Sequence, residues 1–169
     1  MKISKVEYLA MLLTEKALAI ISNFLSENGI TCVGDFQHNM HYTLHYYGWK
    51  PTADRSDIPV ADLGKTVELI LDSFGCYTVD GVIQNMGFRV SEECLKEISV
   101  GSGTLADIST NQVPHITVAI NPATDKEGKV IAKAVNTREC DFTKLLAQPL
   151  IIPATLAVFR GNDVAFQVQ

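Results

Sequence analysis

The feature that most constrains the fold of this chain is a strict alternation of side-chain types in residues 113–120. This segment reads Val-Pro-His-Ile-Thr-Val-Ala-Ile. Successive side chains of a strand point to opposite faces, so His115 and Thr117 would share one face and Ile116 and Val118 the other. The pattern predicts a strand with one packed face and one face that presents an imidazole beside a hydroxyl.

A second segment, residues 41–47, repeats this arrangement with the sequence His-Tyr-Thr-Leu-His-Tyr-Tyr. His41, Thr43, His45 and Tyr47 would share one face of the strand. One His-x-Thr motif specifies only two positions and is weak evidence of function. Two copies, each on a predicted strand, are more specific and indicate a common site.

The remaining pattern predicts an α+β fold built mostly from antiparallel strands. Residues 6–12 alternate as a strand, and Thr14 is placed to cap a following helix; a continuous helix from Ser4 is the less favoured alternative. Further strands are predicted at 66–72 and 86–90, a short helix after Ser91, and a terminal hairpin formed by 150–159 and 164–168.

Length and composition predict one globular domain spanning residues 1–169. The chain has 169 residues, of which 47% are hydrophobic and 20% charged, and no linker divides it. Its four cysteines are spread singly, a pattern that favours neither a zinc site nor a disulfide framework. No secretion signal and no membrane-spanning segment are expected, so a cytoplasmic location is predicted.

The two motifs suit phosphodiester cleavage. That reaction needs a base for the attacking hydroxyl and an acid for the leaving oxygen, and histidine serves either role because its unperturbed pKa is about 6.5. His41 and His115 could divide the two roles across one phosphate. Thr43 and Thr117 could then bind its non-bridging oxygens. This arrangement requires no metal and no cofactor.

The charge of the chain bears on the substrate. Its formal net charge is −5, and it has no basic stripe of the kind that follows a long phosphate backbone. A phosphodiester substrate is therefore expected to be small, or the end of a nucleic acid, and no long duplex is expected as a partner.

The two motifs, with the strand, Thr-capped helix and loop that precede the first, resemble the 2H phosphoesterases. His41-Tyr42-Thr43-Leu44-His45 is similar to the first motif of that superfamily, and the segment around His115 to the second. In motif spacing and chain length the sequence is most similar to the phage anti-CBASS protein 1 family. Members of that family degrade cyclic di- and trinucleotide signals of bacterial antiviral defence.

The resemblance implies a bilobal fold, with pseudo-symmetric antiparallel lobes at about 1–90 and 91–169 around a central cleft. It also implies that His41 and His115 are catalytic and that Thr43 and Thr117 bind phosphate. A ribose 2′-hydroxyl would attack a 3′–5′ linkage, and the resulting 2′,3′-cyclic phosphate would be hydrolysed to a 3′-phosphate. Which histidine is the base and which the acid stays open.

Three further residues are candidates for substrate binding. Tyr47, on the predicted motif face, and Tyr8, on a strand that could border the cleft, could each stack on a nucleobase. His45 could contact substrate from the cleft rim. A metal site built from His38, His41 and His45 is disfavoured because their spacing matches no common ligand pattern.

Two other functions remain as alternatives. One is an RNA-end 2′,3′-cyclic phosphodiesterase of the kind found in tRNA ligases. The other, from a different class, is a binding protein that sequesters cyclic nucleotides without cleaving them. A pure binder has no need of two proton-transfer groups, which favours the enzyme.

Overall fold

A computed structural model describes residues 1–48, 57–122, 124, 126–129 and 133–168. Three α-helices are described, α1 (Glu15–Glu27), α2 (Glu92–Glu97) and α3 (Leu105–Ile108). Two 3-10 helices are described at Val60–Asp62 and Ala134–Glu139, and we call the latter the site helix. The described strands are β1 (Tyr8–Leu13), β2 (Asp35–Phe36), β3 (His41–Tyr46), β4 (Thr66–Val79), β5 (Val82–Val90), β6 (Ser99–Val100), β7 (Gly103–Thr104), β8 (His115–Ile120), β9 (Leu145–Arg160) and β10 (Asp163–Ala165).

Six of these strands form a closed sheet. Their order is β1-β3-β8-β5-β4-β9, and β9 pairs back with β1, so the sheet closes into a barrel. Every one of these strand pairs is antiparallel. The α+β class and the predominance of antiparallel strands are therefore confirmed.

The two expected lobes share this one sheet. β8 lies between β3 and β5, and β9 lies between β4 and β1. Strands from either side of residue 90 are thus neighbours around the barrel, and a division at that residue does not correspond to a break in strand pairing.

The N-terminal region follows the favoured prediction of a strand and then a helix. β1 ends at Leu13, and the Thr14 hydroxyl accepts a hydrogen bond from the backbone N–H of Ala17 at 3.2 Å, capping α1. The alternative of a continuous helix from Ser4 is wrong. Ser91 caps α2 in the same way, through the backbone N–H of Cys94.

Three strands are longer than the sequence indicated: β4, β5, which begins at Val82, and β9, which begins at Leu145. β4 continues past Asp72 to Val79, and the register with β5 shifts between Leu71 and Ser73. This bulge interrupts the alternation, so the sequence pattern ended there. The strand pair then closes through a tight turn at Asp80 and Gly81, whose φ angles are both positive, at 51° and 77°.

Apolar side chains from all six barrel strands enter one core. Leu9, Tyr42, Phe88, Ile116 and Leu156 are among its most buried members. Helix α1 contributes Ala17, Ile21 and Leu25 to the same core. None of the described helices has the length and hydropathy needed to cross a lipid bilayer.

Candidate active site

The two His-x-Thr strands are neighbours, and they pair through the central residue of each motif. Tyr42 on β3 pairs with Ile116 on β8 in antiparallel register, and both side chains are fully buried. Because side chains alternate, the flanking histidines and threonines all point to the opposite face. The antiparallel direction sets His41 on the same side of the pair as Thr117, and a local two-fold axis therefore relates the two motifs.

All four motif side chains line one cavity of about 500 Å³. The loop before β3, the segment before β8 and the site helix complete its wall. The other described lining residues are Gln37, His38, Asn39, Met40, Leu44, Tyr46, Thr110, Asn111, Ala134, Val135 and Arg138.

The two histidine rings are held by the same hydrogen bond. His41 Nδ1 lies 2.7 Å from the carbonyl oxygen of Asn39, and His115 Nδ1 lies 2.6 Å from that of Val113. A carbonyl oxygen only accepts, so each Nδ1 carries a proton and donates it. Each Nε2 is then an acceptor when the ring is neutral and a donor when the ring is protonated, as general base and acid catalysis require.

The electrostatic environment lowers the pKa of both histidines. For His41, burial is the largest cause; the bond to Asn39 acts in the opposite direction, and charge on His115 lowers the pKa further. For His115, burial again dominates, the bond to Val113 opposes it, and the positive charge of Arg138 lowers the pKa further. Protonation of His115 thus disfavours protonation of His41, so the state in which both rings are protonated is disfavoured.

Aromatic rings pack against His41. Its ring centroid lies 5.2 Å from that of Tyr8 and 5.0 Å from that of Phe159. Tyr8 and Phe159 themselves stack at 4.6 Å. Tyr8 therefore lies beside the catalytic candidate, as the sequence suggested, but it supports the ring of His41 and does not line the cavity. Burial, aided by the charge on Glu7, raises the pKa of Tyr8 to about 12.

The Thr117 hydroxyl belongs to a buried polar network. Asn85 Nδ2 donates to Thr137 Oγ1 at 3.2 Å, and Thr137 Oγ1 lies 2.8 Å from Thr117 Oγ1. The Thr117 hydroxyl also donates to the carbonyl oxygen of Ala134 at 3.2 Å. Because the Asn85 amide can only donate to Thr137, the Thr137 proton is directed to Thr117 and the Thr117 proton to Ala134.

Gly87 allows this close approach. A Cβ at Gly87 would overlap the methyl group of Thr137 and the carbonyl oxygen of Ile116. The absence of a side chain therefore lets the site helix lie directly against the barrel wall beside Thr117.

Two of the predicted substrate-binding residues lie away from the cavity. The ring of His45 stacks on that of Tyr47 at 4.2 Å, and Tyr47 is only 8% exposed. The prediction that Tyr47 lies on the motif face is wrong, because the register of β3 against β1 shifts by one residue between Thr43 and His45, and this bulge reverses the alternation after Thr43. Tyr46, which the alternation placed behind the sheet, is 60% exposed and lines the cavity.

Several lining residues had no signal in the sequence. Arg138 reaches the cavity from the site helix, and Asn111 reaches it from the segment just before β8. The carbonyl groups that orient the histidines were equally invisible, because every residue type has one. Their common position, two residues before each histidine, becomes meaningful only once the strands are paired.

Within the described residues, no group of three or more His, Cys, Asp or Glu side chains is arranged to hold a metal ion. No protein-family model matches the chain, and no curated protein is significantly similar to it.

Proposed function

We propose that this protein is a metal-independent phosphodiesterase of the 2H kind. The observation that carries the proposal is the antiparallel pairing of the motifs through Tyr42 and Ile116, which sets two equivalently bonded histidines in one cavity. An acid and a base on opposite sides of one phosphate can act on it together. Two proton-transfer groups with matching tautomers favour catalysis over binding alone.

In the proposed reaction, the phosphate binds between the two motifs. The Nε2 of one neutral histidine accepts the proton of a ribose 2′-hydroxyl as its oxygen attacks the phosphorus. The Nε2–H of the other, protonated histidine gives its proton to the departing 5′-oxygen. In a second step the roles exchange, and water opens the 2′,3′-cyclic phosphate to a 3′-phosphate. The hydroxyl of Thr43 donates to a non-bridging oxygen, and the hydroxyl of Thr117 does so when its proton turns from the carbonyl oxygen of Ala134 to the bound phosphate.

The proposed substrates are cyclic di- and trinucleotides, and the proposed context is evasion of bacterial antiviral defence by a phage. A cavity of about 500 Å³ suits a small ligand. No carboxylate is found among its described lining residues, although the chain carries a net charge of −5. Both features favour a compact anion over a long duplex.

The proposed superfamily has two lobes, and the strand order supports an assignment of them. From the β3–β8 pair, the order outward is β1 then β9 on one side and β5 then β4 on the other. We assign β9-β1-β3 to one lobe and β8-β5-β4 to its counterpart, so that each lobe contributes one motif to the shared cleft.

Product analysis by chromatography tests the function. The purified protein is incubated, with chelator present, with cyclic dinucleotides, a cyclic trinucleotide and 2′,3′-cyclic mononucleotides. Linear products with a 3′-phosphate from the larger rings are expected. Turnover of the mononucleotides alone would instead favour RNA-end processing, and tight binding without turnover would favour sequestration.

A further inference from the structure

Arg138 is the one residue with a permanent charge among the described residues that line the cavity. It stands on the site helix, on the side of the cavity that holds His115, and its positive charge acts on that histidine. The sequence motifs assign it no role, and the proposed chemistry already has an acid, a base and two phosphate-binding hydroxyls without it.

The backbone that carries Arg138 is held firmly against the barrel. Asn85 Nδ2 donates to the carbonyl oxygen of Lys133 at 2.8 Å, at the start of the site helix. The neighbouring residue, Thr137, is fully buried and bonded to Thr117. The guanidinium therefore extends from a fixed point, which reduces the entropy lost when it binds an anion.

The guanidinium remains available to a ligand. Its Nε lies 3.5 Å from Oε1 of the adjacent Glu139, and the two side chains are 57% and 56% exposed. An ion pair this exposed contributes little free energy and exchanges readily for a better partner. A planar guanidinium can bind a phosphate through two parallel hydrogen bonds, which a single exposed carboxylate at this distance does not match.

The position of Arg138 is asymmetric, whereas the scissile phosphate has a symmetric set of partners. A local two-fold axis relates His41 and Thr43 to His115 and Thr117, but the site helix lies only on the His115 side of this axis. A cation displaced to one side is better placed to bind a second anionic group of the ligand than to bind the scissile phosphate on the axis.

We propose that Arg138 binds a second phosphate of the substrate, separate from the phosphate that is cleaved between the two histidines. This inference rests on the proposed function and sharpens it, because it requires a substrate with at least two phosphodiester groups. A cyclic dinucleotide meets that requirement, and a 2′,3′-cyclic mononucleotide does not.

The test compares Arg138→Gln with the unmodified protein on these two substrates. We expect KM for the cyclic dinucleotide to rise by about tenfold or more, as loss of a charge-assisted hydrogen bond implies, with kcat little changed. Each protein is assayed at its own pH optimum, because Arg138→Gln also removes a charge that lowers the pKa of His115; KM for the mononucleotide should then change by less than about twofold. Arg138→Lys keeps the charge but loses the paired hydrogen bonds, and its KM should lie between the two.

Arg160→Gln is the matched control, since it removes the same charge from an exposed position outside the described cavity lining. It should leave KM for both substrates unchanged. An equal loss on both substrates in Arg138→Gln would overturn the inference, because Arg138 would then act on the scissile phosphate. Cleavage of mononucleotides but no rings by the unmodified protein would also overturn it, while leaving the phosphodiesterase proposal intact.

Calorimetric titration with a cyclic dinucleotide separates the two proposals if no substrate is cleaved. Binding that weakens about tenfold in Arg138→Gln would support the second-phosphate site although the catalytic proposal had failed. Equal binding by the two proteins, or no binding by either, would overturn the inference.

Discussion

The His41 strand and the His115 strand have the same local backbone arrangement and different surroundings. Each histidine donates from Nδ1 to the carbonyl oxygen two residues earlier, and each is followed by a threonine on the same face. Behind His41 lie the rings of Tyr8 and Phe159. Beside His115 lies a cation, Arg138, on a helix that has no equivalent near His41 among the described residues.

The threonines differ as well. Thr117 shares hydrogen bonds with Thr137 and with the carbonyl oxygen of Ala134, whereas no side-chain partner is found for the Thr43 hydroxyl within the described part of the chain. The backbone carbonyl group two residues before each histidine fixes the tautomer and direction of its ring. The site helix then places a positive charge beside His115, whereas Tyr8 and Phe159 pack against His41.

The largest expected effect is the loss of turnover in His41→Gln or His115→Gln. Each change should lower kcat by roughly 10²- to 10⁴-fold, because a proton-transfer group is lost, with little change in ligand affinity. The double variant should be scarcely worse than either single one, because the two groups act as a unit. Single-turnover assays with separate binding measurements check this. His45→Gln, whose ring stacks on Tyr47 away from the cavity, is the control and should keep full turnover.

A smaller effect should distinguish the two threonines. Thr137→Val removes the hydroxyl that bonds to Thr117 and leaves Thr43 untouched, so we expect kcat/KM to fall by about tenfold. Thr137→Ser keeps the hydroxyl and should preserve kcat/KM, although the lost methyl group lowers the free energy of unfolding. A loss of kcat/KM in Thr137→Ser with none in Thr137→Val would mean that Thr137 acts only through packing.

A pH titration should show the electrostatic difference between the two halves. Arg138→Gln removes a positive charge that lowers the pKa of His115, so that pKa should rise toward its ordinary value. The pKa of His41 should not rise, because burial and the charge on His115 lower it, and Arg138 does not contribute. NMR titration of the imidazole signals in the unliganded protein measures both. A parallel rise of both values would contradict the asymmetry.

The smallest expected effect is on the pH dependence of stability, to which His41 and His115 should contribute in the same direction. Both histidines have a lower pKa in the folded chain than the ordinary value of 6.5. Between those two values the unfolded chain binds more protons, so the free energy of unfolding falls as the pH drops below 6.5. Urea midpoints measured above and below that pH check this. The dependence should weaken in either His→Gln variant and persist in His38→Gln, since His38 is exposed.

Sequence reasoning was most successful where alternation and capping were uninterrupted. β3, β8 and the Thr14-capped α1 lie close to their predicted positions. The terminal hairpin forms as predicted between β9 and β10, although β9 begins at Leu145, before its expected start at residue 150. The second half of β4 was not predicted, because the extra residue in the bulge near Asp72 reverses the phase of the alternation.

The cavity wall was harder to predict than the motifs. Which strands become neighbours depends on the closure of the whole barrel. The pairing of β3 with β8 brings Asn111 to the first motif, and the packing of the site helix against β8 brings Arg138 to the second. Tyr46 and Tyr47 show that alternation also fails as a guide near the end of a single strand. Alternation placed Tyr47 on the motif face, but it is the tyrosine just beyond the strand end that turns into the core.

The pairing of Tyr42 with Ile116 also bears on how such a chain can change in length. Deleting or inserting one residue between the histidine and the threonine of either motif would put those two side chains on opposite faces of the strand, so that one of them would leave the cleft. An indel of two residues would keep the faces but shift one motif along its neighbour. Beyond each threonine an extra residue is accommodated as a bulge, whereas a one-residue change of length between the two side chains of a motif would abolish the site in one step.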